Sequence, residues 1–151
     1  MSYSKLIWGV KESFRAYVEA AGGSITLSDG ASTTEDGAFV FQAQPGGDLE
    51  INADGSATGS MRFQGTVTFE AHGGMLKSTL TELGLEAGEQ GLLLTVLEGP
   101  MNNSRCAVAE VGELEVVENT ITAQTRITMD GMYQIADNYP PGTELDVLRL
   151  V

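Results

Sequence analysis

The run "MRFQGTVTFEAH", from Met61 to His72, constrains the fold more than any other part of the chain. Met61, Phe63, Val67, Phe69 and Ala71 occupy one phase; Arg62, Gln64, Thr66, Thr68, Glu70 and His72 occupy the other. A period of two puts one face on a core and the other toward water, and does not fit a helix. Gly73-Gly74 follows at once. The tight turns that join antiparallel strands need positive φ, which glycine adopts without steric cost. Counting outward from that turn predicts His72 opposite Met75, Ala71 opposite Leu76, Glu70 opposite Lys77, Thr68 opposite Thr79 and Val67 opposite Leu80. The pairs are chemically matched, with an ion pair and a Thr–Thr pair on the polar face.

The rest of the chain is punctuated in the same way. Residues 5–8 read as a short strand. From Val10 the apolar spacing turns helical through Phe14, Tyr17, Val18 and Ala21, and Gly22-Gly23 supplies a C-terminal stop. Phe39 and Phe41 alternate, and "GGDLEI" and "NADGSATG" bring turn chemistry around a short strand. Further strands are expected at "LLLTVLEG", "SRCAVAE", "GELEVVE", "NTITAQTRIT" and "GTELDVLRLV". Leu114/Val116 and Ile121/Ala123 suit a second hairpin turning at Glu118-Asn119. Many short strands with regular turns and one helix predict a mainly β fold: an antiparallel β-sandwich or open barrel with a short N-terminal α-helix packed on it. The chain of 151 residues fits a single domain over 1–151.

Charge excludes some partners. The net charge is −13, and the eight basic residues are scattered, so the chain has no basic stripe for nucleic acid or anionic lipid. No apolar run reaches membrane-spanning length, and the N-terminus shows no export leader, so the chain as it stands reads as cytoplasmic. One Cys and one His exclude a Cys₂His₂ zinc site, and Cys106, next to Ala107 and Val108, reads as a small core residue. There is no Gly-x-Ser-x-Gly nucleophile and no phosphate-binding Gly-x₄-Gly-Lys loop. "NADGSATGS" lacks the terminal Glu of a calcium loop.

Three polar residues each carry two readings on the residues alone. Tyr17 is an aromatic that packs on the core face of the helix, or a phenol with a chemical role. His72 is a solvent-facing hairpin shoulder, or a functional imidazole. Ser13 lies four residues before Tyr17 on the same helix face, as a filler at the helix start or as a contact.

Three motifs then fall in order along nearly the whole chain: "WGVKESFRAY" at 8–17, "FEAHGGML" at 69–76 and "YPPGTELDVLRL" at 139–150. Together they resemble the HtaA-type haem-transport-associated domain family, which opens Trp-Gly then Ser-Phe-Arg-x-Tyr, continues Phe-x-x-His-x-Gly-x-Leu, and closes aromatic-x-x-Gly-x-x-Leu-Asp. The resemblance implies a ferric haem (protoporphyrin IX) site on a mostly β domain. It implies Tyr17 as the axial iron ligand, His72 as the hydrogen-bond partner of its phenolate, Ser13 on a haem propionate and Tyr139 lining the pocket. It also implies a location at the cell envelope or outside the cell. Asn138 stands where the family often has an aromatic before Tyr139.

The implied chemistry is coherent. Tyrosinate is an anionic oxygen ligand suited to ferric haem. A free phenol ionises near pH 10, so iron and a hydrogen bond from His72 have to favour the phenolate. One haem face stays open for transfer to a donor or acceptor protein, so the expected function is capture and transfer, without catalysis. A haem dianion meets the charge of −13, and Arg15 and Ser13 are the nearest donors in sequence to offset it. Three alternatives stay open: a family member that has lost the site and binds another apolar ligand, a structural or adhesive β-module, and a haem enzyme. The last needs distal acid–base groups that the sequence does not show.

Overall fold

The computed structural model describes residues 3–89, 91–97, 104–136 and 139–151. In chain order the elements are β1 (Lys5–Trp8), α1 (Glu12–Ala20), β2 (Ser24–Ser28), β3 (Ser32–Thr33), β4 (Phe39–Ala43), β5 (Glu50–Ile51), β6 (Ala57–Thr58), β7 (Ser60–Gln64) and β8 (Thr66–Ala71). They continue with β9 (Leu76–Thr81), β10 (Gly84–Gly88), β11 (Gly91–Leu97), β12 (Arg105–Val111), β13 (Glu115–Val117), β14 (Thr120–Ala123), β15 (Thr125–Ile127), α2 (Met129–Gln134) and β16 (Leu148–Leu150).

The main sheet is antiparallel and runs β13-β14-β16-β1-β4-β7-β10-β11-β12-β15, with β3 added on β4. Its two ends are nearly one segment. β14 and β15 are consecutive in sequence yet lie near opposite ends of the order, so the sheet curls into a half-barrel. The segment leading into β16 helps close the seam: the Leu145 N–H donates to the Thr125 carbonyl at 2.8 Å, and the backbones of Arg126 and Glu144 pair in an isolated antiparallel β-bridge. The expectation of an antiparallel open barrel with a packed N-terminal helix is met. A separate sheet, β2-β8-β9, carries α1. One hydrophobic cluster joins the layers, with Trp8, Phe14, Phe39, Phe41, Phe63 and Phe69 fully buried in it. Cys106 packs in the same core.

The hairpin register expected around Gly73-Gly74 is found: Ala71↔Leu76, Glu70↔Lys77, Thr68↔Thr79 and Val67↔Leu80. The second hairpin also turns at Glu118-Asn119, with Val116 opposite Ile121. Two runs read as single strands are each two. "MRFQGTVTFEAH" breaks at Gly65, where β7 stays in the main sheet and β8 joins the small one. Gly65 has φ +132°, and a Cβ there would come within 2.8 Å of the Phe41 ring, so the chain turns where only glycine fits. "NTITAQTRIT" breaks at Gln124 for a different reason: the chain passes from β14, near one end of the main sheet, to β15 at the other end of the same sheet. Of "LLLTVLEG", the last two residues lie outside the described residues, as does Asn138. The "NADGSATGS" loop is tied by its own side chains: the Ser56 N–H and hydroxyl both donate to Asp54 Oδ1.

Candidate functional site

The helix starts later than the apolar spacing predicts. Val10 is buried with φ +65°, a rare conformation for a β-branched residue, and α1 begins at Glu12. The cause lies at the other end of the chain. Asp146 Oδ1 accepts the Glu12 N–H at 2.9 Å, capping a helix whose own N-cap residue, Lys11, offers no side-chain cap. Asp146 Oδ2 pairs with Arg15 Nη1 at 2.6 Å, and the same Nη1 donates to the Gly9 carbonyl at 2.6 Å. A Cβ on Gly9 would lie 2.3 Å from that Nη1 and 2.6 Å from Oδ2, so the Trp-Gly pair makes room for the clamp. Trp8 adds to it, its indole N–H donating to Thr125 Oγ1 and to the Asp146 carbonyl, each at 3.2 Å.

The other end of α1 closes in a Schellman motif. The Gly22 N–H donates to the Glu19 carbonyl and the Gly23 N–H to the Val18 carbonyl, with Gly22 at φ +73°. Gly23 does more than stop the helix. A Cβ there would lie 2.1 Å from the Glu70 carbonyl and 3.0 Å from Ala71 Cβ. Glycine therefore lets the helix end press against the end of β8, next to His72.

His72 leaves the ladder at that point. Its φ is +55°, and Gly73 (φ +67°, ψ 24°) and Gly74 (φ +95°) form the primed turn, with the Met75 N–H donating to the His72 carbonyl at 3.3 Å. The expected cross-strand pairing of His72 with Met75 is therefore a turn hydrogen bond. The left-handed backbone, which costs a non-glycine residue about 1 kcal/mol, takes the imidazole out of the strand phase it would share with Glu70.

The result is a contact across 55 residues of sequence: Tyr17 Oη lies 2.6 Å from His72 Nε2. Tyr17 is 44% exposed, which removes the reading of a core-packing aromatic; Phe14 and Val18 form the buried face of α1 instead. One turn earlier on the same face, Ser13 Oγ lies 3.2 Å from Tyr139 Oη. The Tyr139 ring meets Phe14 edge-on with centroids 6.2 Å apart, and Phe14 meets Phe69 at 4.9 Å. Tyr139, Ser13, Tyr17 and His72 thus form a row along one side of the helix, resting on an aromatic floor.

Arg15 does not join this row. The expectation that it would serve as a local donor beside Ser13 meets the clamp described above, which holds its guanidinium on Asp146 and Gly9. Its positions in the helix and the row differ by about half a turn, which is why sequence proximity misplaces it. A hollow of about 480 Å³ opens beside the row, lined by Lys11, Ser13, Ala16 and Glu144 among others. Another of about 360 Å³ lies on the Arg15 side, between Asp36 and Arg149; neither is lined by Tyr17. Neither the residue spacing nor the family resemblance assigns Lys11 a role. Its Nζ lies 5.9 Å from the Tyr139 ring centroid and donates to the Glu144 carbonyl at 2.7 Å. Asp146 was visible only as the Asp of the closing motif.

Among the described residues no cluster of three His, Cys, Asp or Glu side chains gathers to cage a bare metal ion. None of the described helices is long and apolar enough to cross a membrane. What the row offers is one accessible phenol oxygen, held by an imidazole, with hydroxyls and an ammonium a turn away.

Comparison with known proteins follows the same lines. The C-terminal domain of HtaA from Corynebacterium glutamicum shares the fold with a TM-score of 0.71 at 28% identity, over 99% of this chain and 94% of that one. The N-terminal domain of that protein gives a TM-score of 0.78 at 25% identity, over 99% and 97%. Heme binding protein HtaB from the same organism shows the same fold, with a TM-score of 0.70 at 18% identity, over 98% and 91%. No curated protein matches the chain. The family model HtaA, described as Htaa, matches residues 4–151, and on that match the chain belongs to the HtaA family.

Proposed function

We propose that this protein captures ferric haem through the Tyr17 phenolate and hands it on to another protein, without turning over a substrate. The observation that carries the reading is the 2.6 Å contact between Tyr17 Oη and His72 Nε2, both exposed and brought from separate parts of the chain. An imidazole against a half-exposed phenol has little value for stability. Its value is chemical.

The residues present fit the group. Tyr17 would hold a haem iron through its phenolate, a single anionic oxygen donor, whereas a bare ion asks the protein for several ligands. Once the phenol has lost its proton the oxygen only accepts hydrogen bonds. His72 then carries its proton on Nε2 and donates it, fixing the ring and stabilising the anion. Ser13 and Tyr139 offer hydroxyls to a propionate. Arg15 acts at a distance, holding α1 in place through Asp146. Membership of the HtaA family supports the reading. So does the fold shared with HtaB, itself a heme binding protein. When bound, ferric iron supplies the Lewis acidity that holds the phenolate at neutral pH.

The test is a haemin titration of the purified protein. A visible spectrum of high-spin tyrosinate type that is lost in Tyr17→Phe is the expected result. A spectrum unchanged from free haemin sinks the reading and leaves a β domain with another ligand or none.

A further inference from the structure

We propose that Met75 packs on the vinyl-bearing edge of the porphyrin and so sets the preference for protohaem over porphyrins that lack vinyl groups. This rests on the haem reading above. The row of site residues has a direction. Ser13 and Tyr139 stand toward the start of α1, their hydroxyls 3.2 Å apart. His72 stands toward its end, where Gly23 presses on the Glu70 carbonyl and Ala71. Protohaem is polarised in the same sense, with both propionates on one edge and vinyl and methyl groups across from them. With a propionate at the Ser13 end, the apolar edge falls to the hairpin turn that carries His72.

That turn suits a flat apolar ligand. Gly73 and Gly74 have no side chains, and a Cβ on either would meet nothing within 4 Å. The turn is therefore a bare strip of backbone with His72 at one corner and Met75 at the other. The Met75 N–H donates to the His72 carbonyl at 3.3 Å, which ties the corners together. His72 Nε2 is 2.6 Å from Tyr17 Oη, a gap far smaller than a porphyrin is wide. A porphyrin held at that oxygen thus extends over the turn. Met75 is 91% exposed, more than any other large apolar side chain among the described residues. An exposed methionine needs no explanation by itself. This one shares a turn with the imidazole of the site, and a covering ligand would take it out of water. Its unbranched, polarisable thioether moulds to a ring edge without a preformed cleft.

The experiment loads haemin, or deuterohaemin with hydrogen in place of each vinyl group, onto wild type, Met75→Ser and Met75→Leu. In protein labelled with carbon-13 at the methionine methyls, the Met75 signal is the one missing from Met75→Leu. The expected result is that ferric haemin shifts or broadens that signal. Met75→Ser should speed haemin loss to an acceptor globin roughly tenfold, the burial of one methionine side chain being lost. Deuterohaemin loss should speed less, and Met75→Leu should restore most of the wild-type rate. Every variant should keep the tyrosinate spectrum and the urea midpoint of the empty protein, because the side chain packs on nothing there. A Met75 signal unmoved by haemin, or equal speeding for the two porphyrins, overturns the proposal while the haem reading stands. Failure of the wild type to bind haemin overturns both.

Discussion

The two sides of α1 are built on opposite terms. On one side Arg15 is enclosed by Asp146 and the Gly9 carbonyl, its side chain only 13% exposed, and that network is braced by Trp8 and Thr125. On the other side Ser13, Tyr17 and His72 stand exposed, and their hydrogen bonds join side chain to side chain. The buried side fixes where the helix lies; the exposed side gains a fixed geometry without contributing much to stability. Placement and chemistry are thereby separated, so the phenol stays reachable while its position is set from behind.

The comparison is open to direct attack, beginning with what both sides share. Phe69 lies fully buried under the helix, with ring contacts to Phe14 and Phe39. Phe69→Ala should cost about 3–5 kcal/mol in urea unfolding. A loss under about 1 kcal/mol would mean that the floor is not packed as described.

Next comes the clamp. Asp146→Ala strips Arg15 of its partner and the helix of its cap, and should cost about 2–3 kcal/mol. Arg15→Ala combined with it should show coupling of at least about 1 kcal/mol in a double-mutant cycle. Additive effects would show that the two residues act separately.

The exposed side should behave in the contrary way. Tyr17→Phe and His72→Ala should each stay within about 0.5 kcal/mol of wild type. A larger loss would make the pair part of the scaffold and erase the distinction between the two sides.

Asp54, in a loop remote from α1 in sequence, gives the smallest effect and a control. The Ser56 hydroxyl and N–H hold its carboxyl below the ordinary aspartate value of 3.8. A carboxyl lowered on folding adds stability above that ordinary value and loses it as pH falls through the folded one. The urea midpoints of wild type and Asp54→Ala should therefore differ slightly at pH 7 and converge in acid. A gap that widens in acid would contradict the assigned hydrogen bonds.

Much of the β architecture is legible from local pattern. The registers of both hairpins follow from the turn residues, because a tight turn dictates the pairing on either side of it. The sheet switch at Gly65 is not legible, since unbroken alternation looks the same whether a strand stays in one sheet or passes to another. The start of α1 is also hidden: apolar spacing counts Val10 into the helix, while the cap that excludes it comes from Asp146. At the candidate site, the resemblance named Tyr17, His72, Ser13 and Tyr139, and the structure sets them in one row. Sequence distance misplaced Arg15, because neighbours along a helix point in different directions.

By itself the sequence determined what depends on nearest neighbours: strand phase, turn chemistry, the glycine stop after Ala21, and the family to which the three motifs belong. Only the tertiary structure decided that Gly23 is a point of close approach, that His72 turns out of its strand, and that its imidazole meets a phenol 55 residues away. The reason is physical. Local preferences act through a few adjacent dihedrals, whereas these contacts depend on where two packed elements come to rest against a common core.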